Sequence, residues 1–402
     1  MSTQLSSSFI SIGSLNKQMK YPLLMGCTHV FIKIASEIMR NNDLSKHSLI
    51  QSFVMFLGEF LIVFLFIIEL KRSQSKVYKF KGFYLETLLK ITGLIFLCTL
   101  IDFVGSFALT IIDSLSETAF FELFFKLFAM GLTAFLSQYL LHYKYYRHHI
   151  LGYSILVFGL AAHLIIESFD KLKETQTNIL SIILLLFFYS LSSFLEIIEK
   201  YLMEEEFVSP YLIISGEGAF GLIITSLCFT WMDEQCPKDF LRCKGENITK
   251  KSHYIEDFAK FFSTFDNCLS IILFFIGVFF VNTFRMLVNH SYSPTHRSIA
   301  DTLSSFIFWI LKLCYDIFIA KKEDISVEHN ILIGITYIVM YIGIFIFLEL
   351  IIIHKCGMDK NTRDIINIRV NDEKKEIDNL PNLCVLLQTH EKENTLIEKE
   401  IY

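Results

Sequence analysis

Two charged residues inside an apolar run are the first sign of chemistry in this sequence. Arg297 and Asp301 lie near the start of a largely apolar stretch that continues to about Ala320. Their spacing puts both side chains on one face of a helix, about 6 Å apart. An ionised residue at bilayer depth costs about 3 kcal/mol or more unless it is paired or faces water. The two residues could line a solute cavity or pair with each other, and Arg297 could also mark the membrane boundary by snorkelling.

Three more carboxylates interrupt other apolar runs. Glu59 could couple a carrier to protons, bind a cation, or lock two helices as a hydrogen-bonded carboxyl. Asp102 lies one turn from Gly105 and could line a cavity or join two helices. Glu217 stands between two glycines, a pattern that favours close helix packing around the carboxylate.

A charged pair and two amides complete the set of candidate cavity residues. Glu122 and Lys126 are spaced i, i+4 with the acid first, which favours a helical ion pair that leaves no net charge for a ligand. Asn282 and Asn289 could form hydrogen bonds between helices.

The composition defines the class of protein that must position these side chains. Hydrophobic residues make up 53% of the chain, phenylalanine alone numbers 41, and the mean hydropathy is +0.49. These values exceed ordinary soluble usage. We therefore expect an all-α polytopic membrane protein whose partner is the lipid bilayer, with no nucleic-acid partner.

A membrane span needs about 20 mainly apolar residues, and this template fits the chain ten times. The first and fifth spans are interrupted by Lys33, Glu37 and His163. The predicted spans are 21–39, 50–70, 84–108, 118–141, 149–167, 178–198, 208–231, 262–286, 296–320 and 330–353.

The loop charges and the number of spans predict the organisation of the chain. Lysines and arginines are concentrated in the loop at 71–81, which places both termini on the inside. The N-terminal segment has no apolar core followed by a cleavage site. Ten spans divide into two five-helix halves of opposite orientation, the inverted repeat of many carriers. The predicted parts are 1–20, the two repeats 21–167 and 178–353, the polar loop 232–257, and the charged tail 354–402.

Other possible sites are few. Cys236 and Cys243 share the polar loop and could form a disulfide in an oxidising compartment. His148 and His149 indicate an interfacial belt, and nothing near them in sequence completes a metal-ligand set. Walker and Rossmann fingerprints and nucleophile constellations are missing from the sequence. We therefore expect a protein that is not an enzyme and that has no cofactor or metal.

Three sequence blocks carry a family resemblance: 53–60 in the second span; Ser209-Pro210 with 216–221 in the seventh; and Asn282, 293–297, Asp301 and Trp309 further on. On these blocks the chain resembles the drug/metabolite transporter superfamily, most closely the F subfamily of solute carrier family 35. The resemblance covers about 21–353. It implies a ten-helix carrier with a 5+5 inverted repeat that moves a small organic metabolite by alternating access.

The chain departs from this family at several cavity positions. Phe125 stands where relatives carry an arginine in the fourth span, and Ser304 replaces a second arginine in the ninth. The sixth span retains Glu199-Lys200 but lacks the glutamines of relatives. Several polar groups that would select a solute are therefore missing.

Two functions remain open from the sequence. The first is secondary transport of a small organic solute, whose identity and coupling ion the family's breadth leaves open. The second is a non-transporting structural subunit with a carrier fold in a large mitochondrial inner-membrane assembly of the respiratory type, in which other membrane subunits would order both termini. The resemblance implies an intracellular membrane, with the mitochondrial inner membrane favoured and a lysosomal or other endomembrane as the alternative.

Overall fold

The computed structural model describes residues 10–12, 20–41, 48–73, 85–115, 119–171, 179–234, 262–318, 327–355, 357–360, 362 and 365–366. These residues are mostly helical. The helices are α1 (Lys20–Asn41), α2 (Ser48–Phe60), α3 (Val63–Ser73), α4 (Leu85–Leu115), α5 (Ala119–Leu140), α6 (Arg147–Lys171), α7 (Ile179–Glu204), α8 (Pro210–Glu234), α9 (Phe265–Ser291), α10 (Pro294–Phe318) and α11 (Val327–Phe347).

Each predicted span overlaps one helix, except that α2 and α3 share the second. Within the described residues, seven segments are long and apolar enough to cross a membrane, and α5 contributes a shorter apolar segment at Phe124–Leu140. Large apolar side chains remain exposed along these helices, such as Phe135, Phe158 and Leu227. Lipid is the natural solvent for such side chains, and the chain is a helical membrane protein.

The second span is broken just after Glu59. Hydrogen bonds from Ile62 N to Glu59 O (3.0 Å) and from Phe64 N to Leu61 O (3.1 Å) span three residues instead of four. Such a tightened turn separates α2 from α3 without a proline.

The last predicted span, 330–353, is too long. In the structure α11 ends at Phe347, and the remaining isoleucines form strand β2 (Ile351–Ile353). This strand pairs antiparallel with β1 (Ile10–Ile12) in the register Ile10↔Ile353. Hydropathy alone could not place the end of the helix, because the sequence remains apolar beyond it.

The helices pack in a small set of pairs. The helix α1 lies against α9 and α10, and α7 lies against α4 and α5. The other large contacts join α2 to α8 and α6 to α11, with smaller ones between α2 and α9, α4 and α8, and α5 and α10.

Two of the polar residues that interrupt the predicted spans, Lys33 and His163, are bonded to neighbouring helices, and the side chain of Glu37 lies outside the described part of the chain. The Lys33 ammonium on α1 donates to the Ser305 hydroxyl on α10 (2.9 Å). The His163 imidazole on α6 lies 3.0 Å from the Thr336 hydroxyl on α11. These bonds show how a helix inside a bundle accommodates residues that lipid would not.

One end of the bundle is closed by contacts between loops and helix ends. This end contains β1, β2 and the connections at 141–146, 205–209 and 292–293. We call it the strand end. Tyr143 donates to Glu204 (2.5 Å), and the hydroxyls of Tyr145 and Thr295 lie 2.5 Å apart. Burial raises the pKa of the Tyr145 phenol, which keeps it neutral in this network.

Candidate functional site

A buried ionic cluster joins α7 to α10. The Arg297 guanidinium donates to the Glu199 carboxylate, and its Nε lies 3.7 Å from Glu196 Oε1. Glu196 Oε2 also accepts hydrogen bonds from Ser298 (2.6 Å) and, at 3.4 Å, from Thr133 on α5. Arg297 is only 5% exposed, so it does not snorkel to the boundary. Instead, it binds two carboxylates of another helix.

The local sequence explains why Arg297 lies inside the bundle, in the first turn of its helix. Ser293 is the N-cap of α10, because its hydroxyl accepts the His296 backbone N–H at 3.4 Å. Pro294 occupies the first helical position, where its missing N–H has no cost. A connection of only two residues separates α9 from α10 and holds Arg297 beside α7.

Asp301 has its own partners on two other helices. Its carboxylate accepts a hydrogen bond from Arg285 on α9 (2.9 Å), and its second oxygen lies 3.4 Å from Nδ1 of His29 on α1. Arg297 and Asp301 share a helix face as the spacing predicts, but each forms these ion pairs with a different neighbour.

Both asparagines form the interhelical hydrogen bonds that the sequence predicts. Asn282 donates to Oε1 of Glu59 on α2 (2.5 Å). Asn289 donates to the backbone carbonyl of Glu196 (3.1 Å) and to the Glu199 carboxylate (3.3 Å) on α7. The helix α9 is therefore bonded to both α2 and α7.

Glu59 and Glu217 lie where α2 crosses α8. A Cβ atom added to Gly218 would lie 2.2 Å from the Phe60 nitrogen and 2.8 Å from the Glu59 carbonyl carbon. The glycine pattern around Glu217 thus permits the close approach expected from it. One carboxylate oxygen in each glutamate, Glu59 Oε2 and Glu217 Oε1, is buried without a hydrogen-bond partner among the described residues.

Asp102 is half-buried on α4 and belongs to the same electrostatic neighbourhood. Its carboxylate interacts electrostatically with Glu199, Arg285 and Arg297. It also interacts electrostatically with Glu59 and Glu217. The neighbouring Gly105 leaves room for the Phe188 ring, 2.9 Å from the position of an added Cβ. Asp102 therefore faces the ionic interior.

The fourth span contributes an apolar contact at Phe125. Phe125 is buried and stacks on Tyr189 of α7, with 6.4 Å between ring centroids. Lys126 is half-buried beside it. The side chains of Glu122 and Ser304, the cysteines Cys236 and Cys243, the loop from 235 to 261 and the tail beyond 366 lie outside the described part of the chain.

Lys200 lies on α7 and binds the C-terminal end of α9. Its buried ammonium donates to the carbonyls of Asn289 (2.7 Å), His290 (3.0 Å) and Tyr292 (2.6 Å). It also lies 3.1 Å from the Glu204 carboxylate. A cation at a helix C-terminus satisfies orphan carbonyls and opposes the negative end of the dipole.

No further ligand lies near His148 and His149 in sequence, but the structure brings Glu349 beside them. Glu349 Oε1 lies 3.0 Å from His148 Nε2 and 3.9 Å from His149 Nε2, and the three potential ligand atoms lie within 4.8 Å of one another. Sequence distance concealed this contact. His149 Nδ1 accepts the Tyr146 backbone N–H (3.2 Å), so that nitrogen serves as a helix cap.

Several residues of this site escaped sequence analysis. Glu196 stands three residues before Glu199, and this i, i+3 spacing on one helix face is a signal that could have identified it. Arg285 was at the edge of the predicted span 262–286, whereas α9 continues to Ser291 and encloses it. His29 carried no pattern that would distinguish it from a packed histidine.

Comparison with known proteins identifies the fold and little more. No family model and no curated protein matches this chain. A solved structure titled "Crystal structure of protein" matches 83% of this chain and 96% of its own, with a TM-score of 0.50 and 11% sequence identity. At this identity the likeness concerns the fold alone. The apolar helices define the class as a helical integral membrane protein, and its described interior contains paired charges.

Proposed function

We propose that this protein is a secondary carrier that moves a small organic solute by alternating access through ten spans arranged as a 5+5 inverted repeat. Its charged residues meet inside the bundle, where a carrier binds its solute between the two halves. The observation that carries the proposal is the symmetry of helix packing.

The main helix pairs exchange when each span is replaced by the span five positions away. The contact of α1 with α9 corresponds to that of α7 with α4, and the contact of α1 with α10 corresponds to that of α7 with α5. The pair α2 and α9 likewise corresponds to α8 and α4. The pairs α2 with α8, α5 with α10, and α6 with α11 map onto themselves.

The crossing of α6 and α11 is reciprocal at the atomic level. A Cβ on Gly152 would meet the Gly343 carbonyl oxygen (2.7 Å) and the Phe347 nitrogen (2.6 Å). A Cβ on Gly343 would meet the Gly152 carbonyl oxygen (2.7 Å) and the Leu156 nitrogen (2.6 Å). Phe347 and Leu156 each follow the glycine of their own helix by four residues. Such self-complementary contact is typical of a two-fold axis.

The second self-paired crossing carries the same dipeptide in both halves. Gly58-Glu59 lies in α2 and Gly216-Glu217 in α8, and these helices touch at Gly218. Two carboxylates therefore lie at equivalent places near the proposed axis. The helix break after Glu59 adds a feature of carriers, in which interrupted helices flank the solute site.

The proposal is tested by uptake into liposomes containing the pure protein. We expect at least one metabolite of a broad panel to accumulate under a proton gradient of one sign, and Glu59→Gln to reduce its uptake. A matched control is Glu86→Gln, an exposed carboxylate in the first turn of α4. Lack of uptake across the panel with gradients of both signs would count against a carrier.

A structural subunit of a larger membrane assembly is the second candidate function. Two observations favour it: an apolar stack around Phe125 replaces the family's arginine, and Glu196 and Glu199 engage Arg297. Native gel electrophoresis after mild solubilisation tests this candidate. A band at the mass of a monomer or dimer would exclude it, whereas a stable large complex together with absent uptake would favour it.

A further inference from the structure

The pairing of the interior cations restricts the solutes that the bundle can hold. Arg285 is engaged by Asp301 at 2.9 Å, and Arg297 is engaged by Glu199 and Glu196. The Lys200 ammonium donates to three backbone carbonyls and lies beside Glu204. A phosphate or carboxylate on a solute would have to displace these partners.

The carboxylates at the α2–α8 crossing contact only neutral donors in the described structure. Glu59 is 2% exposed and accepts from the Asn282 amide, and its Oε2 has no hydrogen-bond partner. Glu217 is 5% exposed, and its Oε1 has no hydrogen-bond partner among the described residues. A buried oxygen without a donor costs about 1–3 kcal/mol or more, so a ligand that supplies a donor or a positive charge is favoured.

The charge balance around this crossing points the same way. Among the described residues of the interior, six carboxyl groups lie in one electrostatic neighbourhood with two guanidinium groups and the Lys200 ammonium. The carboxylates are Glu59, Asp102, Glu196, Glu199, Glu217 and Asp301, and the guanidinium groups are Arg285 and Arg297. An excess of carboxyl groups over basic groups in an apolar bundle favours a ligand that supplies a positive charge or a hydrogen-bond donor over an anion.

The walls of the crossing are apolar and aromatic. Phe56 is fully buried on α2 and its ring fills the space that a side chain at position 221 would occupy, one turn from Glu217. Aromatic faces beside carboxylates suit an alkylammonium group, which gains cation–π contact as well as ionic contact.

We propose that the ligand of this interior is an organic cation, with an amine or quaternary ammonium group that lies between Glu59 and Glu217. The inference rests on the proposed carrier function and adds the chemical class of its solute. It assigns the two Gly-Glu carboxylates as the residues that determine specificity. It also predicts that anionic solutes such as nucleotide sugars are rejected.

Ligand-induced stabilisation of the purified full-length protein tests the class directly. The cationic probes are choline, tetraethylammonium, 1-methylnicotinamide and spermidine, and the anionic probes are UDP-glucose and glutarate. We expect at least one cation, and neither anion, to raise the melting temperature in detergent in a concentration-dependent way. If choline binds, its neutral isostere 3,3-dimethyl-1-butanol isolates the contribution of charge. Stabilisation by an anion, or by none of the cations, would overturn the proposal.

Two variants assign the binding to the crossing. Glu59→Gln and Glu217→Gln keep the shape and remove the charge, and each is expected to weaken the affinity for the active cation by about tenfold. Glu86→Gln makes the same change at an exposed position and should leave the affinity unaltered. If either variant fails to fold, the remaining variant and the wild-type probe series still decide the outcome. Unchanged affinity in a folded crossing variant would contradict the assignment.

The results that would contradict the ligand class differ from those that would contradict transport. Binding of cations without uptake into liposomes would contradict transport and retain the ligand class. Uptake of an anion would support transport and overturn the ligand class.

Discussion

Arg297 occupies a place where a lone cation would be strongly unfavourable. It lies in the first turn of α10, where the helix dipole presents positive charge, and it is buried in a bundle surrounded by apolar side chains. Glu196 and Glu199 offset both effects, because two carboxylates of α7 surround the guanidinium. The cluster therefore joins α7 to α10 through charges that must be present together.

Replacing Arg297 tests this dependence. Arg297→Met leaves Glu196 and Glu199 buried without their cation, and we expect a loss of about 3–5 kcal/mol of stability. The free energy of unfolding is measured by denaturant titration in mixed micelles. Adding Glu199→Gln to Arg297→Met should restore part of the loss because it removes one uncompensated charge. Strictly additive losses in the two changes would contradict the pairing.

Glu349, just after the end of α11, is a second unusual residue. It adopts a left-handed conformation (φ 59°), and hydrogen bonds from Glu349 N to Ile346 O (3.2 Å) and from Leu350 N to Phe345 O (2.8 Å) close the helix. Glycine is the usual residue at this position of the motif. The contact of the Glu349 carboxylate with His148 gives a physical reason for a strained glutamate here.

Two substitutions separate the backbone strain from the side-chain contact. Glu349→Ala and Glu349→Gly both remove the bond to His148, but only alanine retains the strain of a Cβ at positive φ. We expect the alanine variant to be less stable than the glycine variant by about 1 kcal/mol. Melting temperatures of the two purified variants provide the comparison. Equal values would show that this position carries no strain.

At the scale of elements, the crossing of α2 and α8 depends on a missing side chain. Position 218 faces the backbone of α2, where a Cβ would lie 2.2 Å from a nitrogen that cannot move without the helix. Gly93 on α4 has nothing within 4 Å of the equivalent point. The two glycines are thus alike in chemistry and opposite in surroundings.

Alanine substitutions at these glycines should have opposite effects. Gly218→Ala forces α8 away from α2 and should cost about 1–3 kcal/mol. Gly93→Ala should be neutral or stabilising by up to about 1 kcal/mol, because alanine favours a helix over glycine. Thermal unfolding in the same detergent compares both with the wild type. A Gly218→Ala protein as stable as Gly93→Ala would refute the close crossing.

The sequence was sufficient to predict the helices but not which helices pack against one another. Every predicted span falls on a helix, because a segment that crosses a bilayer must be long and apolar whichever helices pack beside it. The break after Glu59 lacks proline, and the end of α11 lies within an apolar run, so neither carries a composition signal. The pairing of Arg297 with α7 depends on the tertiary arrangement of three helices. A single sequence contains the charges but not this arrangement.

At the scale of the whole molecule, both described ends of the chain meet. Strand β1 precedes the first helix and β2 follows the last, so their pairing places them on one side of the bundle. An even number of membrane crossings, as in the proposed carrier, would place the two strands in this way. The same strand end carries the Lys200 contacts with α9 and the contact between Tyr145 and Thr295, which would form a gate in a carrier.

A disulfide cross-link tests the meeting of the two ends. Ser11 and Ile352 are register partners, so Ser11→Cys with Ile352→Cys should cross-link under mild oxidation. The linked peptide is identified by mass spectrometry after proteolysis. Ser11→Cys with Ile338→Cys is the control, because Ile338 lies within α11 on an exposed face. Cross-linking of the control pair alone would contradict the strand register.

The measurement that tests the central claim most directly is solute counterflow in proteoliposomes. Vesicles loaded with an excess of the cation that stabilises the protein most are diluted into a trace of the same labelled cation, with no ion gradient imposed. A protein that alternates between two faces exchanges solute across the membrane, so we predict a transient accumulation of label above equilibrium that Glu217→Gln reduces. Entry of label no faster than in protein-free vesicles would contradict the account of this protein as a carrier.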